Sequence, residues 1–558
     1  MDKTILQRIG GGWLAKLATR TGIAGRARLA KLARPAEVTR LAAFTKLATL
    51  AAAAGWVGLA ACRPKTAPAA PPYLPRFHFT AGSAWTGEPA GLVYDKGTYH
   101  LFYQYNPTGD QYGSIHWGHA VSRDLYQWRL QPVALAPEPS ESLGSGSVVA
   151  DLQNTSGFGN GTEAPFIAFY TVASSGSAAG STSDPEPGSN LRSAYSLDQG
   201  VTWTSGAPLA LPVPPGETLR NPHVSWNRKA NQWLMTVSTG SSVLFYTSPD
   251  CRQWTYRSEF KDPAAAGNLW EETDFFPLKA EDSDSTRWIL LVSAGNGAAG
   301  DLPAMRYFVG DFDGAAFHLR QPQETVLDYG KDHTAGSTFN GLGDNRRIEL
   351  GWMNHWEYAN LLPTSGWRGN MTCPRWLTLV REGNRYRLAS VPYSGWERYR
   401  SDSYAIPGAT LSDNQTIRDR FPYPGASFTI RLKFDPTDSH AIWKARTYGI
   451  RLKTRSGSTL TVGYQNELSA YYIDRSGWDT EPFAEGFGRM AGASYRSASA
   501  VSDWYLLFDR NSIEFFADGG RIALTALCYP DDELRSFELF AESGSVTLLE
   551  GDLVKLKN

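Results

Sequence analysis

From about Arg76 onward, short stretches such as Thr98-Tyr99-His100-Leu101-Phe102-Tyr103 and Trp288-Ile289-Leu290-Leu291-Val292 recur between clusters of Gly, Pro, Asn and Asp. Apolar runs of this length, bounded by turn residues, predict strands rather than long helices. A repeat sharpens the pattern. Ser122-x-Asp124 precedes Trp128, Ser196-x-Asp198 precedes Trp203, Ser248-x-Asp250 precedes Trp254, and a looser copy joins Asp311-x-Asp313-Gly314 to Phe317. The aspartates can hold hairpin turns through side-chain-to-backbone bonds while the aromatic packs beneath the next strand. The copies sit 74, 52 and about 63 residues apart, a spacing suited to four-stranded propeller blades with variable loops. After Pro392 the rhythm changes to longer alternating runs, Ser427 to Phe434 and Trp504 to Asp509, which read as strands of a two-layer sandwich.

Length supports two folded units, since 558 residues exceed what one ordinary core holds. Apolar residues at 42% and charged residues at 20% are globular values. The 19 Trp, 26 Tyr, 54 Gly and 33 Pro favour an all-β chain. The net charge of −1 conceals an asymmetry: residues 1–61 hold ten Lys/Arg against two Asp/Glu, which leaves 44 basic and 53 acidic residues beyond them. A remainder of that sign lacks the basic footprint that nucleic acid requires, and a neutral polar ligand suits it better.

The basic leader is followed by an apolar run from Leu47 to Ala61, the order of a secretory signal and too short to span a bilayer comfortably. It ends Leu59-Ala60-Ala61-Cys62, which resembles the bacterial lipobox, so Cys62 is expected to carry lipid and to begin the mature chain. The basic stretch exceeds a usual signal, which leaves a downstream start or an atypical leader as alternatives. Residues 62–75, rich in Pro and Ala, read as a tether. A lipid anchor at the bacterial envelope is thus the expected membrane contact. Cys251, Cys373 and Cys528 are scattered and odd in number, and read as structural thiols rather than a disulfide framework or zinc site.

Several longer segments carry a resemblance. Trp85-Thr86-Gly87-Glu88-Pro89-Ala90-Gly91, His100 to Pro107, His116 to Ser122, Ser145-Gly146-Ser147, Leu327 to Asp332, Gly351-Trp352-Met353-Asn354, Tyr358 to Gly369 and Asp509 to Ala517 are similar, in order, to glycoside hydrolase family 32. The resemblance covers about residues 76–555. It implies a five-bladed β-propeller, expected over 76–395, followed by a β-sandwich over 400–555, and activity on fructose-containing sugars.

The family places a nucleophile in W-M-N-D-P-N-G, a transition-state stabiliser in R-D-P and an acid/base in W-E-C-P-D. Here those segments read Trp85 to Gly91, Arg220-Asn221-Pro222 and Trp270-Glu271-Glu272-Thr273-Asp274. Glu88, Asn221 and Glu271 therefore occupy the catalytic positions, and only Glu271 is unchanged. Glu88 carries an extra methylene, and a misplacement of about 1 Å can cost on the order of a hundredfold in rate. Asn221 is uncharged and cannot offset positive charge on an oxocarbenium-like sugar. Glu272 does not simply replace the missing acid, because neighbours along a strand point to opposite faces; a rescue requires a bulge.

Trp85, Gln104, Trp117, Ser147, Arg220, Asp274 and Trp352 are the expected sugar-binding residues, with indole faces for C–H surfaces and amides or hydroxyls for ring hydroxyls. His116 and His119, three apart in a strand, are not expected on one face, so no metal site is expected and no cofactor is implied. Two readings follow: a retaining hydrolase of β-fructofuranosyl units, or a descendant that binds such glycans without cutting them.

Overall fold

The computed structural model describes residues 73–557, apart from 175–190, 214–216, 263–269, 295–304, 322–324, 421–426, 437–442, 479–482 and positions 282, 344 and 498. The leader, Cys62 and the tether up to 72 lie outside the described residues. Five antiparallel sheets follow one another up to Pro392. Their first strands are Ala84–Asp95, Glu141–Ala150, Arg220–Asn227, Trp270–Lys279 and Thr334–Thr338. Each touches the first strand of the next sheet, and the fifth touches the first. That closed ring is a five-bladed propeller whose first strands line the central channel. A late segment, Trp367–Arg368, pairs in parallel with Ala84 and Trp85 and latches the ring.

The repeated Ser-x-Asp segments form the turns between the outer strands of the first three blades. Asp124 Oδ1 accepts the backbone N–H groups of Tyr126 and Gln127 at 3.0 and 2.8 Å, and Asp250 Oδ1 those of Arg252 and Gln253 at 2.9 Å each. Asp198 closes its turn onto Thr202 N at 2.8 Å, and Asp313 in the fourth blade accepts from Ala315 and Ala316 at 2.8 Å each. Trp128 and Trp203 fold back so that each indole N–H donates to a carbonyl of its own turn, Leu125 and Gly200. These aromatics stabilise blade edges.

From Arg400 two sheets stack face to face. Phe428, Ile430, Leu432 and Phe434 of Ser427–Asp435 meet Ile450, Leu452, Phe537 and Leu539 of the facing sheet in one core, while Arg431 and Lys433 point outward. That is the period-two alternation of a sandwich. The junction with the propeller combines an apolar cluster, in which Leu350 and Met371 meet Leu507 and Phe516, with buried polar contacts. Asp509 accepts the backbone N–H groups of Arg76 and Phe77 at 2.9 and 2.8 Å, so the sandwich fixes the segment that leads into the first blade. Cys251, Cys373 and Cys528 are buried free thiols.

Candidate active site

Every central strand of the propeller is irregular where it begins. An extra residue is accommodated between Thr86 and Pro89 and again between Pro89 and Gly91, then between Leu143 and Gly146, Arg220 and His223, Trp270 and Glu272, and Thr334 and Ser337. Bulges re-aim side chains and recur beside reactive sites. The bulges of the first four blades meet at one mouth of the channel.

Glu88 is buried in the bulge of the first blade. Its Oε2 accepts from Gln104 Nε2 and from Ser145 Oγ, each at 3.1 Å, with the Trp356 indole close by. Gln104 Nε2 reaches Ser145 Oγ at 2.7 Å as well. Burial, followed by the charge of Glu271, pushes the Glu88 carboxyl up to about 7, although the donors on Ser145, Trp356 and Gln104 pull the other way. Glu271 is also raised, by burial, with Arg220 opposing. In Trp270–Lys279, Trp270 pairs with Ala294 and Glu272 with Ser293, which leaves Glu271 as the unpaired extra residue. The face alternation expected of the two glutamates is thereby broken. Burial, then the charges of Glu88 and Glu271, holds Glu272 well above the usual carboxylate range, with the nearby Ser145 hydroxyl opposing.

Asn221 sits between these blades with φ of +49°, a conformation asparagine tolerates better than most residues. Its backbone N–H donates to Thr171 Oγ1 at 2.8 Å, its Oδ1 faces the same hydroxyl at 3.3 Å, and its Nδ2 donates to the Glu271 carbonyl at 3.0 Å.

Aromatic rings form the wall. Trp85 packs against Trp352 at 5.6 Å, Trp356 at 6.2 Å and Tyr112 at 6.0 Å between centroids. Trp85 and Trp352 are fully buried, and Trp352 Nε1 is used on the Thr86 carbonyl at 3.0 Å, so the partly accessible faces belong to Tyr112 and Trp356. Tyr112 is pushed up to about 12 by burial and then by the charges of Glu88 and Glu271, which places its hydroxyl near both.

Two polar atoms in this wall, Trp85 Nε1 and Gln104 Oε1, are buried without a protein partner. A Cβ at Gly87 would stand 3.0 Å from the former, 3.2 Å from the latter and 2.9 Å from Gln104 Cβ. Gly87 therefore lets Gln104 lie close, and leaves a donor and an acceptor side by side.

The remaining expected residues sit deeper. Trp117 is fully buried and its Nε1 holds the Gly144 carbonyl at 2.9 Å, behind the Ser145 bulge. Ser147 clamps two blades, donating to the Pro222 carbonyl at 2.8 Å and accepting from Val224 N at 2.9 Å. Asp274 accepts from Thr338 N and Oγ1 at 2.8 and 2.6 Å and faces His223 at 3.3 Å. His116 binds the Ser114 carbonyl, whereas His119 is buried on Phe102 with ring centroids 4.3 Å apart. Ser145, Thr171, Tyr112, Trp356 and Glu272 complete the site without having been singled out as site residues from the sequence. Ser145 belongs to the family-like segment Ser145-Gly146-Ser147, but Tyr112 and Trp356 belong to loops without periodic pattern. A cavity of about 770 Å³ opens at the opposite mouth, lined by Asp151, Asn227, Trp288, Asp311 and Arg347 among others, and Glu88, Glu271 and Glu272 are not in its lining.

Carboxyl groups raised by burial and by one another, in an aromatic-walled mouth, define a glycosidase-type site. Residues 78–392 match the glycosyl hydrolases family 32 N-terminal domain and residues 396–555 the family's C-terminal domain, so the chain belongs to glycosyl hydrolase family 32. The chain is 36% identical over 486 residues to a levanase of Bacillus subtilis, covering 85% of this chain and 69% of that protein. It is 32% identical over 520 residues to an extracellular exo-inulinase of Aspergillus awamori, covering 87% and 95%. The structure of a beta-fructofuranosidase from Schwanniomyces occidentalis complexed with fructosyl-erythritol superposes with a TM-score of 0.78 at 26% identity, covering 88% and 98%.

Proposed function

We propose that the chain hydrolyses β-fructofuranosyl linkages in levan, inulin or sucrose with retention, Glu88 acting as nucleophile and Glu271 as acid/base. The observation that carries this is the convergence of two carboxyls from the first and fourth blades at one mouth, each raised by burial. Glu88 attacks the anomeric carbon as its bond to the leaving oxygen breaks, and Glu271 gives that oxygen a proton. Water then adds at the same carbon while Glu271 takes its proton, and Glu88 departs as a carboxylate. The unpartnered Trp85 Nε1 and Gln104 Oε1 offer one donor and one acceptor to a ring hydroxyl, and Arg220 steadies Glu271.

The levanase and exo-inulinase relatives support the substrate class. Purified protein should release reducing sugar from at least one of levan, inulin and sucrose, the first product keeping the anomeric configuration of the substrate by NMR. Binding to these sugars with no release from any would leave the non-catalytic reading instead.

The organisation proposed with this function is a propeller over 76–395, a sandwich over 400–555 and a lipid-bearing Cys62 that holds both at the envelope. The extracellular relative supports export, and the lipobox-like Leu59-Ala60-Ala61-Cys62 supports the anchor. Cys62→Ala should move the protein from membranes to the soluble fraction; unchanged retention would overturn the anchor.

A further inference from the structure

We propose that Asp110 and Asn360 are positioning residues of the mouth, fastening the loop that carries Tyr112 to the loop that carries Trp356 and so setting the corner between these rings that grips the sugar. This role rests on the reading that a fructose-containing sugar binds at this mouth.

Two stretches at the mouth form no strand. Residues 107–114 join Thr98–Asn106 to His116–Ser122 in the first blade, and residues 354–366 lead from Arg347–Met353 of the fifth blade to the latch Trp367–Arg368. Placing a loop residue costs conformational entropy that no ladder repays here, so the rings stand where they do because other bonds hold their backbones.

Some of those bonds run to the strand that bears Glu88. Trp85 N donates to the Gly109 carbonyl at 2.9 Å and Ala84 N to the Gly366 carbonyl at 2.8 Å, so the two loops flank the start of that strand. Arg368 braces the second loop through Nη2, which donates to the carbonyls of Leu362 and Thr364 at 3.1 and 3.2 Å, while its Nη1 reaches the Asp110 carbonyl at 2.9 Å. Asn106 braces the first loop, with Nδ2 on the Gln111 carbonyl at 2.8 Å and Oδ1 accepting from Thr108 N at 3.0 Å.

Two side-chain acceptors then cross the seam. Asp110 Oδ2 accepts the backbone N–H of Gly366 at 2.9 Å, and Asn360 Oδ1 accepts that of Tyr112 at 2.9 Å. The second bond holds the aromatic residue by its own backbone. Tyr112 consequently meets Trp356 edge-on, with centroids 5.2 Å apart and planes at 90°, and both rings pack on Trp85. A right-angled pair of half-buried rings offers its apolar surface to the C–H side of a furanose, while the hydroxyls of that sugar reach Trp85 Nε1 and Gln104 Oε1. Asn360 itself is exposed and Asp110 half-buried, and neither belongs to a hydrophobic core, which separates their effect on the sugar from any effect on the fold.

Fructose binding to the full chain, followed by tryptophan fluorescence, and kinetics on the sugar it cleaves best test this. Asn360→Ala and Asp110→Ala each remove one acceptor and should raise both the Kd for fructose and KM about fivefold, the worth of one hydrogen bond, with a smaller change in kcat. Asn360→Asp and Asp110→Asn each keep an acceptor oxygen and should stay within about twofold of the wild type. Wild-type affinity in either alanine variant would overturn the role of that residue. A loss in the conservative variants equal to that in the alanine variants would overturn the proposal, as would a urea midpoint that falls in step with affinity, since either makes the residues merely structural. Absence of fructose binding by the wild type would overturn the grip even in a protein that cleaves sugar. A protein that cleaves none of these sugars, yet whose fructose affinity follows this order, keeps the clamp and faults the hydrolase reading alone.

Discussion

At the junction between propeller and sandwich, Arg375 reaches Asp328 at 2.7 Å and Glu514 at 2.6 Å, and His78 stands between Asp509 and Glu514 at 3.0 and 2.7 Å. All five side chains are buried. At the channel mouth Glu88, Glu271 and Glu272 crowd together, with Arg220 opposing the rise of Glu271. Burial pushes the carboxyls of both clusters upward. At the junction, the charge of Arg375 and the bonds from His78 outweigh it and bring Glu514 down to about 2, while Arg375 and His333 hold Asp328 far below the usual carboxylate range. His78, which burial alone would lower, is lifted to about 9 by Asp509 and Glu514. At the mouth burial prevails, and all three glutamates rise. The same residue type is structural where cations match it and reactive where they do not.

Removing a carboxyl from the reactive cluster should have the largest effect. Glu88→Gln and Glu271→Gln should each lower kcat by roughly 10⁴-fold or more while leaving the circular dichroism of the fold unchanged. More than a tenth of wild-type activity in either variant would take that residue out of the two-carboxylate scheme.

At the junction the expected losses are of stability. Arg375→Met removes the guanidinium that Asp328 and Glu514 share, leaving the imidazoles of His333 and His78 to offset these buried charges and that of Glu349. It should cost about 3–5 kcal/mol, seen as a lower denaturation midpoint in urea. An unchanged midpoint would mean that the network is not what joins the two units.

The two clusters differ in how far the sequence discloses them. The Ser-x-Asp turns were legible because each lies within five or six residues, and their bonds form as the local pattern predicts. The carboxyl positions Glu88 and Glu271 were legible through long ordered segments. The bulge at Glu271 was not, since strand alternation says only where side chains point when pairing is regular, and the extra residue depends on how Ala294 and Ser293 pair. Trp117, Ser147 and Asp274 carry types suited to sugar, yet their polar atoms hold neighbouring blades. The partners of Arg375 lie 47 and 139 residues away in the chain, so no local pattern joins them.

One substitution made in both clusters should sharpen the contrast most finely, because its effect on stability changes sign. Glu88 in the folded protein, at about 7, lies above its ordinary 4.5. A carboxyl raised in this way contributes stability fully below about pH 4.5 and loses it as pH rises through about 7, so at pH 8 the ionised group costs about 3 kcal/mol. Glu88→Gln should therefore be close to wild type at pH 4 and more stable by about 2–3 kcal/mol at pH 8. Glu514 is depressed from 4.5 to about 2, so its contribution is present above pH 4.5 and disappears as pH falls through about 2. Glu514→Gln should destabilise at pH 8, and its cost should shrink toward pH 2. Urea midpoints of the two variants across this range give the result directly. Curves that move in the same direction would show that burial alone, and not the presence or absence of a facing cation, sets the behaviour of both clusters.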